Sequence, residues 1–311
     1  MSRRLALLNA ALRFGNKPAL ARMKDPVLAR AMMEKGARWM FRPPPHMLVL
    51  DAPLGRVPGL RISSGRVSPG HAILHLHGGA YVAGSPRTHQ AMLGRLSRLS
   101  GLEVFAPDYR LAPEHPFPCA LEDAEAAFAG LLARGYAPGQ ISLGGDSAGG
   151  GLAFALLARL CAAGTVPGFA YGFSPWSDLT GSGGSIRSNA RADPMLPAAR
   201  LADVAQMYLQ GQAAGDPGAS PLFADFPGAP PVLLQVGSTE ILLDDTLRLA
   251  DRLRGFGAAV DLQVLPNTPH VVHLFDGWVP EARMALRAAA AGVRAGLGLP
   301  LRPARSASTG S

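Results

Sequence analysis

The stretch Ile141-Ser142-Leu143-Gly144-Gly145-Asp146-Ser147-Ala148-Gly149-Gly150-Gly151-Leu152-Ala153-Phe154-Ala155-Leu156-Leu157 decides the fold. Its first residues read as a buried strand and its last as a helix. The turn between them, Gly145 to Gly149, fits G-x-S-x-G. Chance produces that pattern often in a glycine-rich chain, so the strand before it and the helix after it carry the information. A sharp strand-to-helix turn holds Ser147 in strained backbone and brings other chain close to it. Glycines on both sides tolerate that crowding. The free N–H groups of the helix N-terminus then point at whatever the serine attacks.

The same alternation extends outward. Strand-like runs fall at 47–51, 60–63, 72–77, 103–108, 140–144, 169–173, 232–236 and 260–265. Helix-like stretches fall at 88–99, 119–133, 149–163, 198–210, 244–254 and 280–296. Strands alternating with helices of this length predict an α/β fold with a mostly parallel sheet of eight strands flanked by helices. No helix separates the first two strands, which predicts an antiparallel hairpin at one edge. Residues 174–230 carry one clear helix among Gly, Ser and Pro and read as an insertion. Before the first strand, Leu5, Leu8 and Leu12, then Met23, Val27, Ala31 and Met32, recur at helical spacing. They predict a pair of amphipathic helices, ended by Pro43-Pro44-Pro45.

A serine hydroxyl is a poor nucleophile without a base and an orienting acid. In a fold of this kind both should follow in later loops, in the order serine, acid, histidine. The strand at 232–236 leads to Glu240 and that at 260–265 to His270. Both loops lie at the carboxyl ends of their strands, the edge that carries Ser147. Asp244 and Asp245 are rival acids and His273 a rival base. His77-Gly78-Gly79-Ala80-Tyr81 ends another strand. Backbone N–H groups of Gly78, Gly79 and Ala148 are expected to converge on an oxyanion, with His77 holding the loop. Tyr81 and Asp146 are placed beside the substrate, Asp146 also bracing its loop. A network of Arg110 with Glu114 or Asp108 is expected beneath the oxyanion site.

Composition narrows the partners. Hydrophobic residues are 48% of the 311 and charged ones 17%, which excludes a disordered chain. No run of about 18 apolar residues occurs, so no membrane-spanning helix is expected. Two cysteines, Cys119 and Cys161, make neither a disulfide framework nor a zinc site. The net charge of +8 would suit a nucleic-acid binder if it were spread over the fold. It is not. Residues 1–45 hold ten basic residues against Asp25 and Glu34, and the remaining chain holds 20 of each sign. The ten are expected to solvate an outer face of the N-terminal helices, so that removing 1–35 leaves the substrate range unchanged. Arg3 and Arg4 before a Leu-rich run resemble a signal start, but no cleavage site follows.

With these motifs placed, the chain resembles the hormone-sensitive-lipase-like esterases of the α/β-hydrolase superfamily, in the bacterial group with a GDSAG turn. His77–Ala80 is similar to the family's HGGG loop. The run from Asp108 to Pro118, DYRLAPEHPFP, and Gly145–Gly150 match longer signatures. Ser174–Thr180 and Asp193-Pro194-Met195-Leu196 resemble lid motifs. Ser220–Phe223, Gly237–Asp245 and His270–Phe275 resemble the stretches around the acid and the histidine. The likeness covers about residues 45–297. It implies an α/β-hydrolase fold with a helical cap. The expected organisation is cap helices at 1–45, a catalytic domain at 46–300 with a second cap segment at about 175–225, and a tail at 301–311 whose short polar composition reads as disordered. The likeness further implies a serine carboxylesterase acting on small to medium acyl esters, with Ser147, His270 and Glu240 as triad. Neither metal nor organic cofactor is expected, and no nucleic acid or stable membrane insertion. A cytoplasmic location is expected. The resemblance leaves room for a homodimer through the last strand and helix. The alternatives are a membrane-surface lipase or deacetylase on the same triad, or a non-catalytic small-ligand receptor. Ala80 stands where the family most often has Gly, a change that is easy only if φ is negative there.

Overall fold

A computed structural model describes residues 1–301; the tail expected from residue 301 onward lies, but for Leu301, outside the described residues. Eight strands form one sheet: β1 (Met47–Asp51), β2 (Gly59–Ser64), β3 (Ala72–Leu76), β4 (Glu103–Pro107), β5 (Ile141–Asp146), β6 (Phe169–Phe173), β7 (Val232–Gly237) and β8 (Val260–Leu265). Their order is β1-β2-β4-β3-β5-β6-β7-β8. β1 pairs antiparallel with β2, and β2 antiparallel with β4; every other pairing is parallel. The predicted edge hairpin is therefore present. Strands β3, β5, β6 and β7 are buried along their whole length, as their unbroken apolar runs require in a sheet covered on both faces.

Ten α-helices are seen among the described residues: α1 (Arg3–Ala11), α2 (Lys17–Arg22), α3 (Pro26–Met40), α4 (Pro86–Ser100), α5 (Cys119–Ala133), α6 (Ser147–Ala162), α7 (Ser185–Ser188), α8 (Leu201–Leu209), α9 (Leu243–Gly255) and α10 (Pro280–Gly296). One face of the sheet packs against α5, α6 and α9 through Leu121, Phe128, Leu152, Leu157, Leu249 and Leu253. The other packs against α4 and α10 through Leu93, Leu96, Leu286 and Val293. Helix α4 starts at a capping box between Ser85 and Thr88 and ends at Gly101 with φ 69°, a left-handed C-cap.

The N-terminal region forms the expected helix pair. Helix α1 runs on through a π-turn at Leu12–Asn16 into α2 without a break, and α3 is the second member, after a break at 23–25. Leu5 and Leu12 anchor this region against Val272, Phe275, Val279 and Ala285. Each buried leucine contributes about 1.5–3 kcal/mol. The second apolar stripe read from the sequence is only partly the packed face. Val27 is 63% exposed, and Met32, 51% exposed, only borders a cavity above the sheet, as Met23 does. Ala29, Met33 and Ala37 turn inward, towards the same cavity. The helix was legible from periodicity, but which side packs was not, because α3 is apolar on more than one side.

Candidate active site

Parallel strands place the loops after β3, β5, β7 and β8 on one edge of the sheet. Ser147 opens α6 directly after β5 and has φ 54°. The crowding that demands glycine is visible around it. A Cβ on Gly145 would stand 2.2 Å from the Gly149 carbonyl oxygen, and one on Gly149 would stand 2.2 Å from that of His77. The Trp176 N–H donates to the Ser147 carbonyl at 2.9 Å and ties the loop after β6 to this turn.

The Ser147 Oγ lies 2.8 Å from His270 Nε2, and His270 Nδ1 lies 2.6 Å from Glu240 Oε2. Glu240 is fully buried. Its other oxygen accepts from the Ser174 hydroxyl at 2.7 Å and from the Gly237 N–H at 2.5 Å. A carboxylate only accepts, so Nδ1 of His270 carries its proton and Nε2 offers a lone pair to the serine hydroxyl. Burial by itself would lower the His270 pKa. The charge and hydrogen bond of Glu240 outweigh burial and raise it above the ordinary value. The site thus favours the imidazolium that forms when the serine loses its proton.

The rival groups are engaged elsewhere. Asp244 accepts the Ser185 N–H at 2.8 Å. Asp245 is buried and accepts the N–H groups of Ser177 and Asp178 at 3.0 and 2.9 Å. Burial, then the charge of Asp178, push its carboxyl up to about 8. His273 bonds to Gln235 through Nε2 at 2.8 Å and stacks on Phe173. Burial brings its pKa down to about 3, so it stays neutral.

The loop after β3 corrects the expected set of oxyanion donors. The Gly78 N–H donates to Asp146 Oδ1 at 3.2 Å and is not free. The N–H groups of Gly79, Ala80 and Ala148 make no such bond among the described residues. Gly79, Ala80 and Tyr81 have φ of 132°, 57° and 62°, which turns the chain tightly over Ser147. A Cβ on Gly79 would come within 2.0 Å of the Ala83 oxygen. The condition set for Ala80 fails: its φ is positive, and alanine carries the left-handed strain of roughly 1–2 kcal/mol. His77 holds the loop as expected. Its Nδ1 donates to the Gly78 carbonyl at 2.9 Å, and its ring stacks on Tyr109 at 4.3 Å.

Two residues placed beside the substrate have other work. Tyr81 is buried, stacked on Tyr208 at 3.9 Å, and does not line the cavity. Asp146 borders the cavity, but its carboxylate is consumed by the Gly78 N–H, His75 Nε2 at 3.0 Å and His89 Nε2 at 3.2 Å. Both nitrogens of His89 face acceptors, Asp146 and the Ser85 carbonyl. Burial would lower the His89 pKa, but the charge and hydrogen bond of Asp146 raise it above the ordinary value, as a close histidine–carboxylate pair should. Despite burial, that pair holds the Asp146 carboxyl far below its ordinary range. Sequence reading missed His89 because nothing local marks it. The ion network differs as well. Arg110 pairs with Asp123 at 2.8 Å and Glu122 at 3.1 Å, while Glu114 pairs with Arg30 of α3. Arg30 also donates to the carbonyls of Val82 and Ala112, so it links α3 to the loop that follows Ala80.

Above Ser147 and His270 lies a cavity of about 380 Å³. Its walls are apolar: Leu20, Met23 and Met33 come from the N-terminal helices, Val204 and Met207 from α8, and Phe275 from the loop after β8. The N-terminal segment therefore touches the space a substrate would fill. That placement argues against the expectation that residues 1–35 are dispensable for substrate range. Asp193, whose carboxylate accepts the N–H groups of Ile241, Met195 and Leu196, couples the segment before α8 to the Glu240 loop.

A model of the alpha/beta hydrolase fold family matches residues 73–274. An acetyl-hydrolase of Streptomyces hygroscopicus is 42% identical over 230 residues, covering 74% of this chain and 77% of that protein. An esterase of Acinetobacter venetianus is 35% identical over 90% of this chain and 91% of its own. Among solved structures, an esterase from the bacterial hormone-sensitive lipase family superposes with a TM-score of 0.91 at 38% identity, over 96% of this chain and 99% of that one.

Proposed function

Because the chain belongs to the alpha/beta hydrolase family, in its bacterial hormone-sensitive-lipase branch, we propose that it is a serine carboxylesterase working through Ser147, His270 and Glu240. The observation that carries this reading is the relay of 2.8 and 2.6 Å from serine to histidine to buried carboxylate, opening on an apolar cavity. Ser147 Oγ attacks the acyl carbonyl while His270 Nε2 takes its proton. Glu240 stabilises the resulting imidazolium. The oxyanion accepts from the free N–H groups of Gly79, Ala80 and Ala148, donors typically worth about 3–4 kcal/mol each on the transition state. His270 then protonates the departing alcohol. Water attacks the acyl-enzyme with His270 again as base, releasing the acid and restoring Ser147.

The apolar walls and modest volume support small to medium acyl esters as substrates. No helix among the described residues is long and apolar enough to cross a membrane. Two free cysteines support a reducing compartment, the cytoplasm. The charge balance of the body, 20 against 20 beyond residue 45, supports the reading that nucleic acid is no partner. The open edge at β8 is where a second copy of the chain would add. A fluorophosphonate probe should label Ser147, and Ser147→Ala should lose both labelling and hydrolysis of p-nitrophenyl butyrate while remaining folded. Retained hydrolysis in that variant would overturn the assignment.

A further inference from the structure

More than half of the exposed large apolar side chains among the described residues sit in the first 40 positions. Phe14 and Trp39 are each 81% exposed, Leu7 72% and Leu28 50%. A surface helix of a globular protein needs one apolar stripe, and α3 has two. Ala29, Met33 and Ala37 line the cavity. Leu28, Met32 and Trp39 recur at i, i+4 and i+11, with Lys35 among them at i+7, a second stripe that faces outward and meets the cavity only at Met32.

With Arg42 just beyond it, the same segment holds the whole net charge: residues 1–45 carry ten basic residues against two acidic ones. Arg22, Lys35, Arg38 and Arg42 are exposed around the outward stripe. The two carboxylates are engaged: Asp25 accepts the N–H groups of Val27 and Leu28 at the start of α3, and Glu34 accepts from the Ser85 hydroxyl. Solvation accounts for the cations but not for Phe14 and Trp39. Exposed Trp, Phe and Leu set among Arg and Lys is the composition of helices that lie in a lipid headgroup layer. A second copy of the chain is a poor occupant, because it would bring like charge against like.

We propose that the outer face of α1–α3 is a docking surface for an anionic phospholipid bilayer. The surface would bring the cavity to the bilayer as well. Met32 belongs to the outward stripe and also lines the cavity. An ester dissolved in the lipid would reach Ser147 without crossing bulk water. Vesicle binding is read independently of catalysis, so this inference and the esterase reading can fail separately.

The test is flotation of the full-length protein with phosphatidylcholine vesicles, with and without phosphatidylglycerol. Binding is expected only with phosphatidylglycerol, with a blue shift of tryptophan emission that is lost when Trp39 is replaced. Salt of about 1 M, where the screening length falls to about 3 Å, should release the protein. Lys35→Glu with Arg38→Glu should weaken binding about tenfold or more, since each cation near an anionic surface contributes about fivefold. Leu28→Ser with Trp39→Ser should weaken it similarly. Both double variants should hydrolyse p-nitrophenyl butyrate normally, which verifies folding. No flotation at low salt, or equal flotation of either double variant, would overturn the proposal. So would a dimer in sedimentation that the Leu28 and Trp39 changes dissociate, because the face would then be an interface between copies.

Discussion

His270 stands between the Ser147 hydroxyl and the Glu240 carboxylate, so in the proposed mechanism its proton sets the acid limit of activity. Only the neutral imidazole can accept from the serine. Its pKa is raised by Glu240 against the opposing effect of burial, so kcat/KM should fall as pH drops through a value above 6.5. Glu240→Gln should cost about 10³–10⁴-fold in kcat and move the acid limb to lower pH, where burial acts without a compensating charge. Asp244→Asn should leave both nearly unchanged, and a pH–rate series on the two variants separates them. In the chain Glu240 and Asp244 are a helical turn apart and both follow a strand, so residue order could not choose between them. The choice is made by direction: Glu240 turns towards His270, whereas Asp244 bonds to Ser185. The Gly78 N–H was misread for the same reason. Its partner Asp146 is 68 residues away, and no local pattern shows that the bond is made.

At the scale of elements, the loop after β6 and helix α9 meet through Asp245. Its Oδ2 accepts two backbone N–H groups, and its Oδ1 has no partner. The folded protein holds a proton there up to about pH 8, whereas the unfolded chain releases it near 3.8. Between those values the folded state binds more protons. Its stability is therefore full below about 3.8 and falls as pH rises through about 8. Asp245→Asn presents the same acceptor to the two N–H groups without a charge to bury. Denaturant midpoints should fall from pH 5 to pH 8 in the parent protein and stay level in the variant. Element positions themselves were legible: β1, β6, β8, α5 and α10 match the predicted bounds, because their apolar runs and their Gly and Pro boundaries are local. Which side of α3 packs was not legible, since that depends on a cavity built by distant elements.

For the whole molecule, the N-terminal segment 1–45 completes the cavity wall while carrying the net charge of the entire chain. Removing residues 1–40 should therefore change substrate preference. Each acyl methylene that loses its apolar contact costs about 0.8 kcal/mol, near fourfold in kcat/KM, so longer p-nitrophenyl esters should suffer more than the acetate. An unchanged chain-length profile would return these helices to a purely solvating role. By itself the sequence determined the α/β layering, the antiparallel edge, the serine turn and the histidine loop, since periodicity, glycine and chain order are properties of neighbours along the chain. Tertiary structure alone decided that Glu240 supports His270, that Asp146 withdraws Gly78 from the oxyanion donors, that Arg30 and not Arg110 pairs with Glu114, and that α3 has an outward apolar stripe. Each of those depends on groups far apart in sequence competing for the same hydrogen bond or the same buried surface, and only the folded chain resolves such competition.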